Sequence, residues 1–183
     1  SLHDALPIYT SESLATLKGK KLHSKRNFIN RFLQQYEGRW RYEVLDPAKH
    51  QEEIMKFHHL WCERHGEPKA DTTVYEHCAV WQALEHYEAL GMRGGVLYVD
   101  GAMAAFTMGS PSSCDTLTVQ IEKALADLPG CYPMINREFI AHSGMDCTYV
   151  NREEDMGIEG LRKAKLSYYP VELTVKYRME PLA

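Results

Sequence analysis

The sequence predicts an α/β domain of the α+β kind, and three observations carry that expectation. Up to about Tyr87 the apolar residues recur at helical spacing, whereas from Gly94 onward they fall into short runs separated by turn residues. The chain is also long enough, at 183 residues with 44% hydrophobic and 25% charged content, to bury one sizeable core.

The first eight residues, SLHDALPI, can be encoded in frame by the end of a common short-read sequencing adapter, and Tyr9 has codons that begin with the adapter's final T. The native polypeptide is therefore expected to start near Tyr9 inside a longer gene, with this chain as its C-terminal portion and residues 1–8 outside the fold. From Ser11 to Glu37 the spacing predicts helix, broken near Gly19, with Leu22, Ile29, Phe32, Leu33 and Tyr36 on one face. The other face is basic. Lys18, Lys20, Lys21, Lys25, Arg26 and Arg31 lie in a stretch without an acid, which suits either a phosphate-binding surface or a solvated helix face.

Arg39–Leu45 alternates as a strand, and Asp46 followed by Pro47 predicts a helix start. Two helices should follow, one with Ile54, Phe57 and Trp61 as its buried stripe, the other with Val74, Cys78, Trp81, Leu84 and Tyr87. Val96–Val99 and Met103–Met108 read as a hairpin about Asp100-Gly101. Thr116–Ile121 is a third strand, ending at Glu122 and Lys123. Gly130 then leads into the helix CYPMINREFIAH, Cys147–Val150 is a fourth strand, and Val171–Tyr177 is the last.

Several classes of function are set aside by what the chain lacks. Its five cysteines are odd in number, scattered and free of any C-x-x-C pair, so no disulfide framework and no zinc site is expected. His58, His59, His65, His77 and His86 show neither H-E-x-x-H spacing nor a matching carboxylate set, and no metal site is expected from them. There is no G-x-S-x-G, P-loop or G-x-G-x-x-G motif, which removes serine covalent chemistry and nucleotide hydrolysis from the leading readings. No apolar run is long enough to span a bilayer, so a cytoplasmic protein able to work at a membrane surface is expected.

The stretch from Asn151 to Pro170, NREEDMGIEGLRKAKLSYYP, concentrates charge where a strand gives way to a helix. Asn151, Arg152, Glu153 and Asp155 precede Gly157 and Gly160, and a short helix then carries Arg162, Lys163 and Lys165. Unpaired amides at a helix start, with glycines that permit close approach, suit a phosphate or carboxylate. Arg162 and Lys165 share a helix face and could close on one anion. A well-capped helix with balanced surface charge is the competing reading. Glu122 could take the proton lost when an amine attacks an ester, although an ion pair at the strand end explains it equally well.

Two long motifs, LATLKGKKLHSKRNFINRF and YVNREEDMGIEGLRKAKLSYYPV, together with GGVLYVDGAMAAFTMGSP and IEKALADLPGCYPMINREF, resemble a bacterial family of phosphatidylglycerol lysyltransferase C-terminal-domain-like proteins. The resemblance covers nearly everything after Tyr9. It implies a GNAT-like acyltransferase fold, a mixed central sheet flanked by helices, with two such modules in the intact protein. Residues 9–37 would then be a connecting helical segment from the preceding module and residues 38–183 the C-terminal GNAT-like domain.

The characterised relatives of this family are similar to enzymes that move an aminoacyl group from a charged tRNA to a lipid headgroup or a peptidoglycan-type amine, whereas more typical GNAT proteins use acyl-coenzyme A. The coenzyme A loop [RQ]-x-x-G-x-[GA] is missing, for EKALADLPGCYPMI offers only Gly130. The resemblance thus implies aminoacyl-tRNA as donor and an amine or hydroxyl acceptor, with acyl-CoA-dependent N-acyltransfer as one alternative and a non-catalytic ligand- or RNA-binding module as another. In that scheme Lys21, Lys25 and Arg26 would contact tRNA phosphates. Arg152, Arg162 or Lys165 would stabilise the oxyanion, and Glu122 or Glu153 would act as the base.

Overall fold

The computed structural model describes residues 5–64, 70–153 and 159–175. The chain opens with strand β1 (Ala5–Thr10), followed by helices α1 (Ser11–Thr16) and α2 (His23–Gln35). Thr10 caps α1, its hydroxyl accepting the Ser13 amide at 3.2 Å. The expected break near Gly19 separates the two helices, and Arg26 holds it closed by donating to the carbonyls of Leu17 and Gly19. Strand β2 (Trp40–Val44) leads to α3 (Pro47–Arg64), which begins at the expected proline while the Asp46 carboxylate accepts the Ala48 amide at 3.0 Å. Helix α4 (Ala70–Glu85) completes the helical half.

Strands β3 (Arg93–Val99) and β4 (Ala102–Pro111) form the predicted hairpin, with Asp100 and Gly101 both at positive φ as the tight turn demands. Then come β5 (Thr116–Ala124), α5 (Cys131–Ser143), the short β6 (Tyr149–Asn151), α6 (Glu159–Leu166) and β7 (Glu172–Val175). The last strand was expected over Val171–Tyr177, and its final residues lie outside the described ones.

The strands form one seven-stranded sheet in the order β2-β3-β4-β5-β6-β1-β7. Every neighbouring pair is antiparallel except β5 and β6, for which α5 is the crossover. Residues 5–8, expected to lie outside the fold, contribute Ala5–Ile8 to β1, which pairs with β7, and Ile8 also pairs with Asn151 of β6. Pairing asks only for extended backbone with its carbonyls and amides available. Even Pro7, without an amide hydrogen, accepts from the Arg152 amide at 3.3 Å.

Both faces of the sheet are covered, and the alternation along β3 assigns each residue to its side. Leu97 and Val99 join Leu117, Val119, Ile135, Phe139 and Phe32 in the core beneath α1, α2 and α5. Val96 and Tyr98 join Phe106, Met108, Ile54, Phe57 and Leu84 in the core beneath α3 and α4. Each fully buried large side chain here contributes roughly 1.5–3 kcal/mol.

The stripe expected on α4 is misplaced. Cys78 is exposed and Trp81 is 45% exposed, while Val80, Ala83 and Leu84 face the sheet. Two helical stripes pass through Leu84, and the large aromatic drew the expectation to the wrong one; burial follows the line that meets Ile54 and Phe106.

Candidate functional site

Strands β5 and β6 run side by side for only three residue pairs, Thr116 with Tyr149, Leu117 with Val150 and Thr118 with Asn151. Beyond them β5 continues to Ala124 against β4 alone, and the chain after Asn151 turns away, so the parallel pair opens into a wedge. Gly109 helps to shape this region. The β4–β5 register shifts beside it, and a Cβ at that position would stand 2.4 Å from the Thr118 carbonyl oxygen, so only glycine lets the two backbones approach.

Glu122 and Arg152 span the wedge. The Arg152 Nη2 donates to Glu122 Oε1 at 2.9 Å, and Asn136 Nδ2, from the middle of α5, donates to Oε2 at 3.1 Å. Both charged side chains are nearly buried, 12% and 13% exposed. This places an ion pair where its attraction is screened little and its hydration is largely lost. Among the described residues, two polar atoms flanking the carboxylate remain without a hydrogen-bond partner, the donor Arg152 Nη1 and the acceptor Asn136 Oδ1. Buried groups left in that state are uncommon and invite a ligand with the opposite pattern.

Aromatic rings wall the pair. Tyr9 of β1 and Tyr168 after α6 meet edge to face at 6.4 Å, and the Arg152 guanidinium lies 5.0 Å from the Tyr168 centroid and 5.9 Å from that of Tyr9. Lys25 of α2 stands over the outer side at 4.4 Å from the Tyr168 centroid, and Lys21 lies 5.5 Å from that of Tyr169. Burial pushes the Tyr9 hydroxyl up to about 12, with Arg152 pulling the other way, and burial likewise raises Tyr168. Burial works against the charge of Arg152, but Glu122 and the two tyrosines outweigh it and hold the group above its ordinary value. Lys25 gives up its proton more readily than a free lysine, first because it is partly desolvated and then because Arg152 is near.

The turn after β6 is held from α6. Lys165 Nζ donates to the carbonyls of Arg152 at 2.7 Å and Glu153 at 2.9 Å, and its own carbonyl accepts the Tyr9 hydroxyl at 2.8 Å. Glu153 sits at φ +61, a left-handed conformation that costs a non-glycine residue energy, with its amide donating to Asn151 Oδ1 at 2.9 Å.

Of the residues singled out from sequence, the fold brings Glu122, Arg152, Asn151, Glu153, Lys165 and Lys25 together, with Lys21 at the rim. Arg26 is occupied at the α1–α2 break. Lys165 Nζ is engaged by the backbone carbonyls of Arg152 and Glu153, and Arg162 is half-buried on α6. Gly160 lies exposed in the first turn of α6, and Asp155 and Gly157 lie outside the described residues. Asn136, Tyr9 and Tyr168 were not anticipated. Asn136 had a legible signal, a lone amide among Met134, Ile135, Phe139 and Ile140 on a helix that buries them all.

Gly130, the α5 N-cap at φ +91, packs so tightly on α2 that a Cβ there would lie 3.0 Å from that of Phe32. On the opposite face of the sheet, His58 and Cys62 of α3 and Glu76 of α4 place one nitrogen, one sulfur and one oxygen within 4.8 Å of one another. Among the described residues no helix is long and apolar enough to cross a membrane.

The family described as "Phosphatidylglycerol lysyltransferase, C-terminal" matches residues 6–180. A crystal structure of a conserved protein of unknown function from Bacteroides thetaiotaomicron is 44% identical, with a TM-score of 0.87 over 94% of this chain and 58% of that one. The C-terminal domain of a putative lysylphosphatidylglycerol synthetase from Agrobacterium fabrum shares the fold at 17% identity, with a TM-score of 0.64 over 91% of this chain and 57% of that one. An uncharacterized protein of Mycoplasmoides gallisepticum is 27% identical over 173 residues, 93% of this chain and 54% of its own length. The chain therefore spans less than two thirds of each of these relatives. The mixed sheet flanked by helices agrees with the architecture the sequence resemblance implied, and the Agrobacterium fabrum domain shares it.

Proposed function

We propose that this chain, which belongs to the phosphatidylglycerol lysyltransferase C-terminal family, transfers an aminoacyl group from a charged tRNA to an amine or hydroxyl acceptor such as a lipid headgroup or a peptidoglycan-type amine. The observation that carries the reading is the buried Arg152 Nη1, without a hydrogen-bond partner among the described residues, at the wedge between β5 and β6. An ester carbonyl placed against it would receive a charged donor as negative charge develops on its oxygen, in surroundings poor in water.

The reaction asks little of the protein. The acceptor's nitrogen or oxygen forms a bond to the ester carbon, the bond to the terminal ribose oxygen breaks, and the proton lost by the acceptor is passed to the departing ribose oxygen. Glu122 has both oxygens engaged and is assigned to hold Arg152 rather than to take that proton. Glu153, next along the strained turn, is assigned as the base. Asn136 Oδ1 accepts a hydrogen bond from the incoming amine or hydroxyl. Lys21 and Lys25 supply cations for the tRNA end at the outer side of the tyrosines. The missing [RQ]-x-x-G-x-[GA] loop, for which the chain offers only Gly130, favours this donor over coenzyme A.

The test is binding and transfer by the purified protein with charged tRNA, uncharged tRNA and acetyl-coenzyme A at several salt concentrations. Salt-dependent binding of charged tRNA is expected, with Arg152→Lys binding it but losing about a hundredfold in transfer rate. Tight coenzyme A binding without tRNA binding would reverse the assignment.

A further inference from the structure

We propose that His58, Cys62 and Glu76 form a binding site for a zinc-like divalent metal ion on the face of the sheet opposite Glu122 and Arg152. His58 and Cys62 are four apart on α3 and so project from one side of it, and Glu76 reaches them from α4. Imidazole, thiolate and carboxylate together are a donor set for a borderline-soft cation such as Zn2+, and a poor one for Mg2+ or Ca2+, which prefer oxygen alone.

A second observation points the same way. His58 is fully buried, and among the described residues the contact its ring nitrogens make is with Cys62 Sγ, at 3.8 and 4.0 Å, the outer limit for a sulfur hydrogen bond. Its ring otherwise lies near-perpendicular to that of Phe106, centroids 6.3 Å apart, and is stacked on that of His77, centroids 5.6 Å apart. A buried imidazole with so weak a partner is what a metal ligand looks like without its ion. Burial disfavours the charged form of the ring. The thiol is raised by burial and would lose its proton to the metal on binding.

Lys123 is the cation that now occupies this place. Its ammonium pairs with Glu76 and lies 3.8 Å from the Trp61 ring centroid. Because successive residues of a strand face opposite ways, Lys123 reaches this cluster while Glu122 reaches Arg152. An ion bound by all three ligands would compete with Lys123 for Glu76 and leave the ammonium on Trp61. Three protein ligands leave a fourth position for water.

The experiment is addition of Co2+ or Zn2+ to the chelator-stripped full chain. One ion per chain is expected, with a thiolate-to-cobalt charge-transfer band in the near ultraviolet and a Tm that rises with Zn2+ concentration. Cys62→Ser should abolish the band while leaving the circular dichroism of the apoprotein unchanged, and Cys78→Ser should keep it. Glu76→Gln should weaken Zn2+ binding by more than about tenfold. Lys123→Met, which removes the competing cation, should tighten it. The site is overturned if no charge-transfer band forms, or if the band survives Cys62→Ser. Unchanged affinity in both Glu76→Gln and Lys123→Met would also overturn it.

Discussion

Arg152 is a charge maintained by its neighbours, so the side chains around it divide into those that hold it and those that use it. Glu122 holds it, and its removal would leave a guanidinium nearly buried without a counter-charge. Glu122→Ala is therefore expected to lower unfolding free energy by about 3 kcal/mol, read from urea denaturation. A loss under about 0.5 kcal/mol would mean that water reaches the pair freely.

Glu43 on β2 offers a second residue-scale prediction, through pH. Hydrogen bonds from Lys49, Arg41 and His50 bring its carboxyl down to about 2, with partial burial working in the opposite sense. A carboxyl whose folded value is depressed binds its proton more tightly in the unfolded chain. Its contribution is thus complete above the ordinary value of 4.5 and fades as pH falls toward 2. After allowance for solvent around the lysine and arginine partners, Glu43→Gln should cost about 1 kcal/mol at neutral pH and flatten this acid limb of the stability curve. An acid limb of unchanged steepness would place the titration elsewhere.

At the scale of elements, two glycines fix how neighbours meet. Gly130→Ala must both adopt φ +91 and press on Phe32, so a loss of roughly 1–3 kcal/mol in thermal or chemical unfolding is expected. Gly109→Ala meets backbone rather than a movable side chain, and it should loosen the β4–β5 pairing at the mouth of the wedge; faster amide exchange at Thr118 and Val119 is the measurement. Neither effect could be foreseen from the sequence, because each depends on which backbone comes to lie opposite. What could be foreseen were features written in local periodicity and turn chemistry: the helix break near Gly19, the start at Pro47, the hairpin at Asp100-Gly101 and the strand that begins at Thr116. The α4 stripe failed because two faces of that helix carry large apolar residues and only the partner surface chooses between them. Glu122 was visible as a carboxylate, but Asn136 and Tyr9 reach it through crossovers and strand order, which no spacing rule encodes.

At the scale of the molecule, the two motifs that stood farthest apart in sequence meet at Tyr168, where Lys25 from α2 and Arg152 from the end of β6 approach the same ring. The net charge is −4, so attraction for a polyanion has to be local, and α2 with the preceding turn is where cations concentrate. The structure separates these cations by what they are already doing. Lys18, Lys20 and Lys21 are exposed, whereas Arg26 donates to the carbonyls that close the α1–α2 break. If the exposed lysines meet tRNA phosphates, deleting one such cation should reduce the slope of log affinity against log salt by about 0.7–0.9, so Lys20→Ala with Lys21→Ala should flatten it by nearly twice that amount. Arg26→Ala should instead lower stability by opening the turn and leave the slope unchanged. A slope that responds to Arg26 and ignores the exposed lysines would move the tRNA path off this helix and away from the Tyr168 side of the wedge.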